Sequence, residues 1–543
     1  MPQTHEVTNQ VPPLHGFDVA ADPALLEAVR REGADWSEPE LHTLGVLAGS
    51  EQAAEWGRLA NVHPPVLHTH DRYGRRIDEV EFHPYWHDLM RTAVRHGLHA
   101  APWRTETPGA HTARAAKFFI WSQVEAGHTC PISMTYAAVP ALRTAPDLAQ
   151  WLEPLLASPE YDFGLRPPRG KRGLIAGMSM TEKQGGSDVR SNTTSAVPAA
   201  DGSYRLTGHK WFTSAPMSDV FLTLAQAPGG LSCFLLPRVL PDGSRNHIHL
   251  QRLKDKLGNR SNASAEIEYD EAVGWPVGEE GLGVRTIVEM VNMTRLDCTV
   301  GAASGMRAAL IQAVHHATHR RAFGAALIDQ PLMRNVLADL AVESEAATAV
   351  AIRLAGATDR ATRGDESEAL LRRIAVAASK YWVCKRGPAH AAEAMECLGG
   401  NGYIEDSGMP RLYREAPLVS IWEGSGNVAA LDALRAITRN PGCVEAFFAE
   451  VEQAAGADRR LDAAVTALHK ELTDPAEAEF RTRRLVESMA LVLQGSLLVR
   501  HGHPAVADAF CASRLGGDHG AAFGTLPTGV DTAAILDRAR PTT

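Results

Sequence analysis

Apolar residues recur at three- and four-residue spacing over residues 23–31, 113–125 and 133–142, which predicts amphipathic helices in the first third of the chain. Pro12-Pro13, Pro64-Pro65 and Pro167-Pro168 interrupt that pattern, since proline lacks the N–H a helix interior requires. From Ser179 to Ala272 the texture changes to short apolar runs at 204–206, 220–226, 231–236, 248–250 and 265–269, separated by Asp201-Gly202, Pro228-Gly229-Gly230 and Pro241-Asp242-Gly243. This reads as a small antiparallel barrel or sandwich lodged between helical regions. Helical spacing returns at 284–293, 299–322, 331–355 and 366–394, long and rich in alanine, which predicts an antiparallel bundle. A further helix is expected over 427–438, followed by a break at Asn440-Pro441-Gly442 and another helical unit that the bundle does not need. The scheme is therefore a helical domain at 1–178, a β-barrel domain at 179–275, a helical bundle at 276–440 and an extra helical domain at 441–543.

At 543 residues the chain exceeds the size over which one core keeps growing, in keeping with several units. No run approaches the roughly 18 apolar residues of a membrane span. The polar opening Met-Pro-Gln-Thr-His-Glu-Val predicts no secretory signal. Seven scattered cysteines without a C-x-x-C pair suit reduced, buried thiols and a cytoplasmic setting. The net charge of −10 does not announce a nucleic-acid partner.

Ser420-Ile421-Trp422-Glu423-Gly424-Ser425-Gly426-Asn427 sets one carboxylate beside glycines at the mouth of a helix expected over 428–437. Small residues let a flat cofactor or an acyl chain approach the backbone, and desolvation by Ile421 and Trp422 would raise Glu423 toward use as a base. The other reading is an acidic residue at a helix start. Met180-Thr181-Glu182-Lys183-Gln184-Gly185-Gly186-Ser187-Asp188 offers backbone N–H groups and two hydroxyls, either as a ligand cradle or as a plain turn. Trp211-Phe212-Thr213-Ser214 offers aromatic faces for a heteroaromatic ring, or a strand packing its aromatics inward. Arg320-Arg321-Ala322-Phe323-Gly324 ends a helix and Gln330-Pro331 starts the next, so Arg320 is either a phosphate fork or a favourable last-turn cation. Leu398-Gly399-Gly400-Asn401-Gly402-Tyr403 is a nucleotide-approaching loop or a helix cap. His315 and His319 have the spacing of a metal pair but lack H-E-x-x-H, so no metal site is expected. Neither a G-x-G-x-x-G after a strand nor a P-loop nor a G-x-S-x-G elbow occurs.

Taken in order, Met180-Thr181-Glu182 through Ser187-Asp188, Trp211-Phe212-Thr213, residues 256–261, Arg320-x-x-Phe323-Gly324, Gly399-Gly400-Asn401-Gly402 and Trp422-Glu423-Gly424 resemble the acyl-CoA dehydrogenase superfamily of flavoproteins. Residues 181–189, 253–264, Cys384-Lys385-Arg386-Gly387 and 420–427 narrow the resemblance to its AidB-type alkylation-response branch, which also matches in length. The resemblance implies a mostly α fold with an inserted β-barrel: helical domain, barrel, four-helix bundle and an extra C-terminal helical unit. It implies a homotetramer, a dimer of dimers, with FAD between barrel and bundle. The flavin ring would meet Met180, Thr181, Ser187, Phe212 and Ser214, with Gly186 and Thr213 also among the cofactor-binding residues. Arg320, Gln330, Gly399 and Gly400 would reach the pyrophosphate and adenosine across a subunit interface. Ile421, Trp422, Gly424, Ser425 and Asn427 lie in the segment expected to close over the ring. Glu423 matches the base that removes the pro-R α-proton of an acyl-CoA thioester, whose carbonyl is polarised by the Glu423 N–H and a ribityl hydroxyl. Trp422 replaces the usual Tyr, and Lys183-Gln184-Gly185 the usual Pro-Gly-Ala, which points to short or branched acyl chains such as isovaleryl and to weak turnover.

The same branch implies sequence-tolerant binding to double-stranded DNA and protection from alkylating agents. Arg435 matches a DNA-contacting position there, with Arg481, Arg483 and Arg484 as the leading supports, and Arg459, Arg460, Arg500 and Arg514 behind them. Residues 435–543 carry 12 Lys and Arg against 14 Asp and Glu, so any DNA surface must be one basic face of a nearly neutral unit. The alternative is a purely metabolic short-chain acyl-CoA dehydrogenase with no DNA role.

Overall fold

The computed structural model describes residues 4–474 and 476–542, so the first three residues of the opening segment read above lie outside it. Asp22 accepts the Ala24 N–H at 3.1 Å and Pro23 occupies the first helical position, which starts α1 (Pro23–Arg31) where its apolar spacing begins. Helices α2 (Glu38–Ala48) and α3 (Glu51–Val62) follow. A hairpin of β1 (Val66–His70) and β2 (Arg76–Glu81) then appears where none was expected. Its strands bury only Asp78 and Val80, so they carry almost no apolar alternation. Helices α4 (Pro84–Arg95), α5 (Ala101–Arg104), α6 (Ala110–Ser122), α7 (Thr129–Leu142) and α8 (Pro146–Leu156) complete the region.

The β texture folds into β3 (Ala176–Ser179), β4 (Ser195–Pro198), β5 (Tyr204–Ser214), β6 (Val220–Ala227), β7 (Gly230–Pro237), β8 (Ile248–Leu253) and β9 (Ser264–Val277). Pairing runs β6–β7–β9–β5–β4 and returns to β6, closing a barrel, while β3 joins β6 in parallel and β8 joins β9. Closure removes the sheet edges that would otherwise be left unpaired. Leu206, Leu222, Leu224, Phe234, Leu250 and Ile267 are buried on its strands. Pro228-Gly229 makes a two-residue connection between β6 and β7, as the turn chemistry predicts.

The two expected helices at 284–293 and 299–322 are one continuous helix, α9 (Gly283–His319). It stops three residues short of the expected end because Arg321–Ala322 (β10) and Ala325–Ala326 (β11) form a small hairpin whose turn places Phe323 and Gly324 at positive φ. Then come α10 (Pro331–Thr362), α11 (Glu366–Glu396), α12 (Met409–Glu415), α13 (Leu418–Ile421) and α14 (Gly426–Arg439). The C-terminal helices are α15 (Pro441–Val451), α16 (Arg459–Thr473), α17 (Ala478–His501), α18 (Pro504–Phe510) and α19 (Thr532–Ala539). No described helix is long and apolar enough to cross a membrane.

Contacts divide the chain into two compact units. One is Met1–Gln52, His111–Val124 and Cys298–Thr543; the other is Ala53–Ala110 and Glu125–Asp297. The division runs through the expected 1–178 region, and it groups residues 441–543 with the bundle. The reason lies in α10, buried at every position from Leu337 to Asp359. A helix buried all round needs partners on every side and a counter-charge for each ionised group. Helices α11, α17, α19 and α1 surround it. Arg514 ion-pairs Asp339 and meets Glu343 at 3.1 Å, Arg538 meets Glu345 at 3.1 Å, and Arg353 on α10 meets Glu450 on α15 at 2.8 Å. The C-terminal helices are therefore part of the bundle's core, contrary to the expectation that the bundle does not need them.

Two buried groups in this unit set its response to acid. Burial pushes His390 down to about 4, its Nε2 lying 3.0 Å from the Leu340 carbonyl. Desolvation acts to raise Glu450, but Arg353 and Arg500 outweigh it and hold the carboxyl at about 2. An unfolded chain binds these protons nearer 6.5 and 4.5. The His390 contribution is thus full above 6.5 and lost as pH falls to about 4, and the Glu450 contribution is lost between 4.5 and about 2. Denaturant midpoints are expected to fall from neutral pH downward, and His390→Gln should flatten the upper part of that fall by on the order of 3 kcal/mol. Identical pH profiles for the two proteins would refute the assignment.

Candidate active site

Helix α13 is only four residues long, and the chain leaves it through Trp422 in an extended conformation (φ −75°, ψ 165°). Glu423 then adopts φ +59° and Gly424 φ +96°, and Ser425 (φ −61°, ψ 171°) leads into α14. A left-handed backbone costs a residue with a Cβ on the order of 1–2 kcal/mol, so something must hold Glu423 there. Lys380 on α11 does so. Its ammonium, on a side chain 1 % exposed, donates to the Trp422 carbonyl at 2.9 Å and to the Gly424 carbonyl, one on each side of Glu423. Gly426 closes the loop tightly against α11, for a Cβ there would lie 2.8 Å from Lys385 Cε. The Trp422 indole Nε1 is buried without an acceptor among the described residues. Ile421, Ser425 and Asn427 are exposed.

In the barrel unit the Met180–Ser187 segment is fastened by a second buried lysine. Lys210 Nζ lies 2.9 Å from Glu182, with both side chains fully buried, and 2.8 Å from the Leu224 carbonyl. Glu182 also accepts the Thr193 and Thr194 N–H groups at 2.7 and 3.1 Å. Desolvation acts to raise this carboxyl, but those N–H groups and the Lys210 ammonium hold it well below the usual range, while burial pulls Lys210 down. The loop in turn presents Thr181 and Ser187, whose hydroxyls have no protein partner among the described residues, and the Thr181 carbonyl accepts the Trp211 N–H at 2.8 Å. A Cβ on Gly186 would press on Thr181 at 3.2 Å.

Strand β5 explains how its aromatics are displayed. Lys210 and Thr213 are both 1 % exposed although three positions apart, which strict alternation forbids; a bulge between them absorbs the extra residue. Phe212 is consequently left 48 % exposed. Lys254 Nζ sits 3.1 Å over the Trp211 ring. Ser214 shares a 3.1 Å hydrogen bond with Ser264. Thr213 departs from the expectation of a ligand-facing hydroxyl, because its Oγ1 is spent inside the barrel on Ser179 at 2.6 Å.

Back in the bundle unit, Arg320 and Gln330 are joined through the small hairpin, the Leu327 N–H bonding the Arg320 carbonyl at 2.9 Å and the Gln330 N–H the Leu327 carbonyl at 3.0 Å. The Arg320 guanidinium donates to the Asn9 carbonyl, so a phosphate would have to compete with the N-terminal segment. Gly399 and Gly400 are exposed, and Cβ atoms built there meet nothing within 4 Å. Gly402 has the opposite reason to be glycine, a Cβ there striking the Met395 carbonyl at 2.1 Å.

The basic candidates separate sharply. Arg435 is exposed on α14 and, like Arg439 one turn on, makes no ion pair among the described residues. Arg481 is spent on the carbonyls of Ala476 and Asp474 at 2.9 and 2.6 Å. Arg483 donates to the Tyr381 hydroxyl at 3.0 Å, next to Lys380. Arg484 lies 3.3 Å from Glu471 and stays exposed. Arg459 is exposed, Arg460 is paired to Asp458 and Asp508, Arg500 to Glu450, and Arg514 is buried. The sequence reading passed over Lys380 and the Glu182–Lys210 pair. For Lys380 a signal existed, a lone cation inside the apolar run 374–384.

Three family models match in order: the adaptive response protein AidB N-terminal domain at 9–163, the acyl-CoA dehydrogenase middle domain at 177–272 and the acyl-CoA dehydrogenase C-terminal domain at 281–438. The chain is 50% identical to AidB of Escherichia coli (strain K12) over 514 residues, 94% of each protein. It is 32% identical to acyl-CoA dehydrogenase family member 11 of Caenorhabditis elegans over 82% of this chain and 77% of that one. The solved structure of Caenorhabditis elegans ACDH-11 in complex with C11-CoA superposes with a TM-score of 0.87 at 29% identity, covering 95% of this chain and 94% of that one.

Removing the Lys210 cation leaves Glu182 buried beneath the loop. Lys210→Met is expected to cost about 3–5 kcal/mol in denaturant unfolding and to speed amide exchange over residues 180–194. A variant within 1 kcal/mol of the parent, on the order of a surface pair's worth, would show that the pair does not hold the loop.

Proposed function

The chain belongs to the acyl-CoA dehydrogenase family, in its AidB branch, and on that premise we propose that Glu423 is the base with which it dehydrogenates short branched acyl-CoA thioesters of isovaleryl type. The observation that carries this reading is the strained Glu423 backbone, retained at the one carboxylate of a loop that glycine and a buried lysine keep in place. FAD is the family's cofactor and supplies, when bound, the two-electron acceptor.

The residues present fit that cofactor. On the barrel side, Thr181 and Ser187 offer unused hydroxyls, Phe212 an exposed face, and Met180, Gly186 and Ser214 the surrounding surface. In the bundle unit, Trp422 offers an unmatched N–H, Gly399 and Gly400 open backbone, and Arg320 and Gln330 polar side chains near a helix start. Thr213 contributes its backbone, since its hydroxyl is used within the barrel. Glu423 takes the α-proton, and its own N–H polarises the thioester carbonyl as enolate-like charge grows. Trp422 in place of the usual Tyr narrows the acyl space, which supports short chains and slow turnover. Exposed Phe323 and Leu332 at the junction of α9 and α10 support assembly as a homotetramer, a dimer of dimers. Seven buried thiols support a cytoplasmic setting.

A second reading, binding to double-stranded DNA as part of an alkylation response, is favoured by Arg435 and Arg439. These cations project from one face of α14 with no carboxylate to neutralise them among the described residues. Arg481 and Arg483 are engaged within the protein, so they support DNA only by rearranging, and Arg484 remains as an exposed auxiliary.

The purified protein is expected to be yellow and to bleach with isovaleryl-CoA, faster than with a medium-chain thioester. Glu423→Gln should keep the colour and bleach about 10²- to 10⁴-fold more slowly. Undiminished bleaching in that variant excludes Glu423 as the base. In a gel shift at rising salt, Arg435→Gln should weaken binding to duplexes of any sequence and lower the salt slope by roughly one charge. No shift with the parent protein at low salt removes the DNA reading and leaves the metabolic dehydrogenase alone.

A further inference from the structure

Lys380 is among the larger fully buried side chains of the protein, and its ammonium donates to two backbone carbonyls of one loop. Those carbonyls belong to Trp422 and Gly424, the residues immediately before and after Glu423. In a trans peptide the C=O and the N–H of the same unit point in opposite directions. A cation that draws the Trp422 oxygen toward α11 therefore turns the Glu423 N–H away from α11, and the Gly424 oxygen is held by the same ammonium two peptides later. The left-handed φ of Glu423 lies between these two anchored peptides.

We infer that Lys380 is the positioning residue of the site, setting the direction of the Glu423 N–H and the station of its carboxylate. This rests on the reading of Glu423 as the base. Three features support it, two on α11 and one in the loop. Lys385, five residues on, packs its side-chain end against Gly426, so a Cβ there would first have to displace it. Tyr381, next to Lys380, carries the Arg483 hydrogen bond from α17, so the C-terminal unit braces the same turn of α11. Gly424 sits at a φ that glycine adopts without strain, which lets its carbonyl swing toward Lys380. A point charge with three rotatable donors suits two divergent carbonyls, whereas the planar fork of arginine is built for parallel acceptors. The chemistry of the inference is electrostatic only: no bond is made or broken at Lys380, and its charge also draws density from the Trp422 carbonyl, making the Glu423 N–H of the same peptide the better donor.

The test uses the full-length, flavin-loaded protein and three variants, Lys380→Met, Lys380→Gln and Glu423→Gln. Lys380→Met is expected to retain the melting transition and flavin content within small changes. Amide exchange in the 418–430 segment should rise about tenfold or more, and the rate of bleaching by isovaleryl-CoA should fall about 100-fold with little change in the acyl-CoA concentration giving half-maximal rate. Lys380→Gln, which keeps two donors without the charge, should fall between parent and Met variant in both readouts. Should the Met variant not fold, the Gln variant decides alone: parent-like exchange together with parent-like bleaching overturns the inference, and so does a rise in exchange with no loss of rate. Glu423→Gln separates the two readings, because full turnover there defeats the base assignment while loop exchange in the Lys380 variants still judges the clamp.

Discussion

An ammonium taken out of water is tolerated only where its donors find acceptors, and that constraint shapes both loops of the proposed site. In the barrel unit Lys210 spends its donors on Glu182 and on the Leu224 carbonyl. In the bundle unit Lys380 spends its donors on the carbonyls of Trp422 and Gly424. Each cation converts a glycine-containing, otherwise adaptable segment into a single conformation. The loops are not rigid by their own sequence; they are rigid because releasing them would strand a buried charge.

The same rule operates on a larger scale around α10. A helix buried on all sides can carry Asp339, Glu343, Glu345 and Arg353 only if neighbouring elements supply their counter-charges. Arg514, Arg538 and Glu450 do so from the C-terminal helices. This explains why residues beyond 440 cluster with the bundle and why Arg514 and Arg538 are unavailable to outside partners. What remains outward-facing on α14 is a short basic strip headed by Arg435, a much smaller surface than the raw count suggests.

Family membership and local geometry reinforce one another here. The AidB and acyl-CoA dehydrogenase models cover the chain from residue 9 to 438 in order. The structure adds what a family match does not contain: the left-handed Glu423, the unpartnered Trp422 N–H, the bulge that exposes Phe212 while burying Thr213, and the Asn9 carbonyl that competes for Arg320.

Sequence alone established the order of textures, helix then strand then helix, because side-chain periodicity is a local property written into neighbouring residues. It also picked out the carboxylate at 423 and the glycine loops, since motif order survives without coordinates. The hairpin at 66–81 escaped because a two-sided exposed ribbon carries little apolar alternation. The inward turn of the Thr213 hydroxyl was not legible, because a bulge shifts the face of a strand without leaving a mark in composition. The merging of two expected helices into α9, the burial of α10 on every side, and the pairing of Lys380 with a loop more than 40 positions away were decided only by tertiary packing. Those outcomes depend on which distant groups share a low-dielectric interior, and a one-dimensional pattern holds no record of which charges will be buried together.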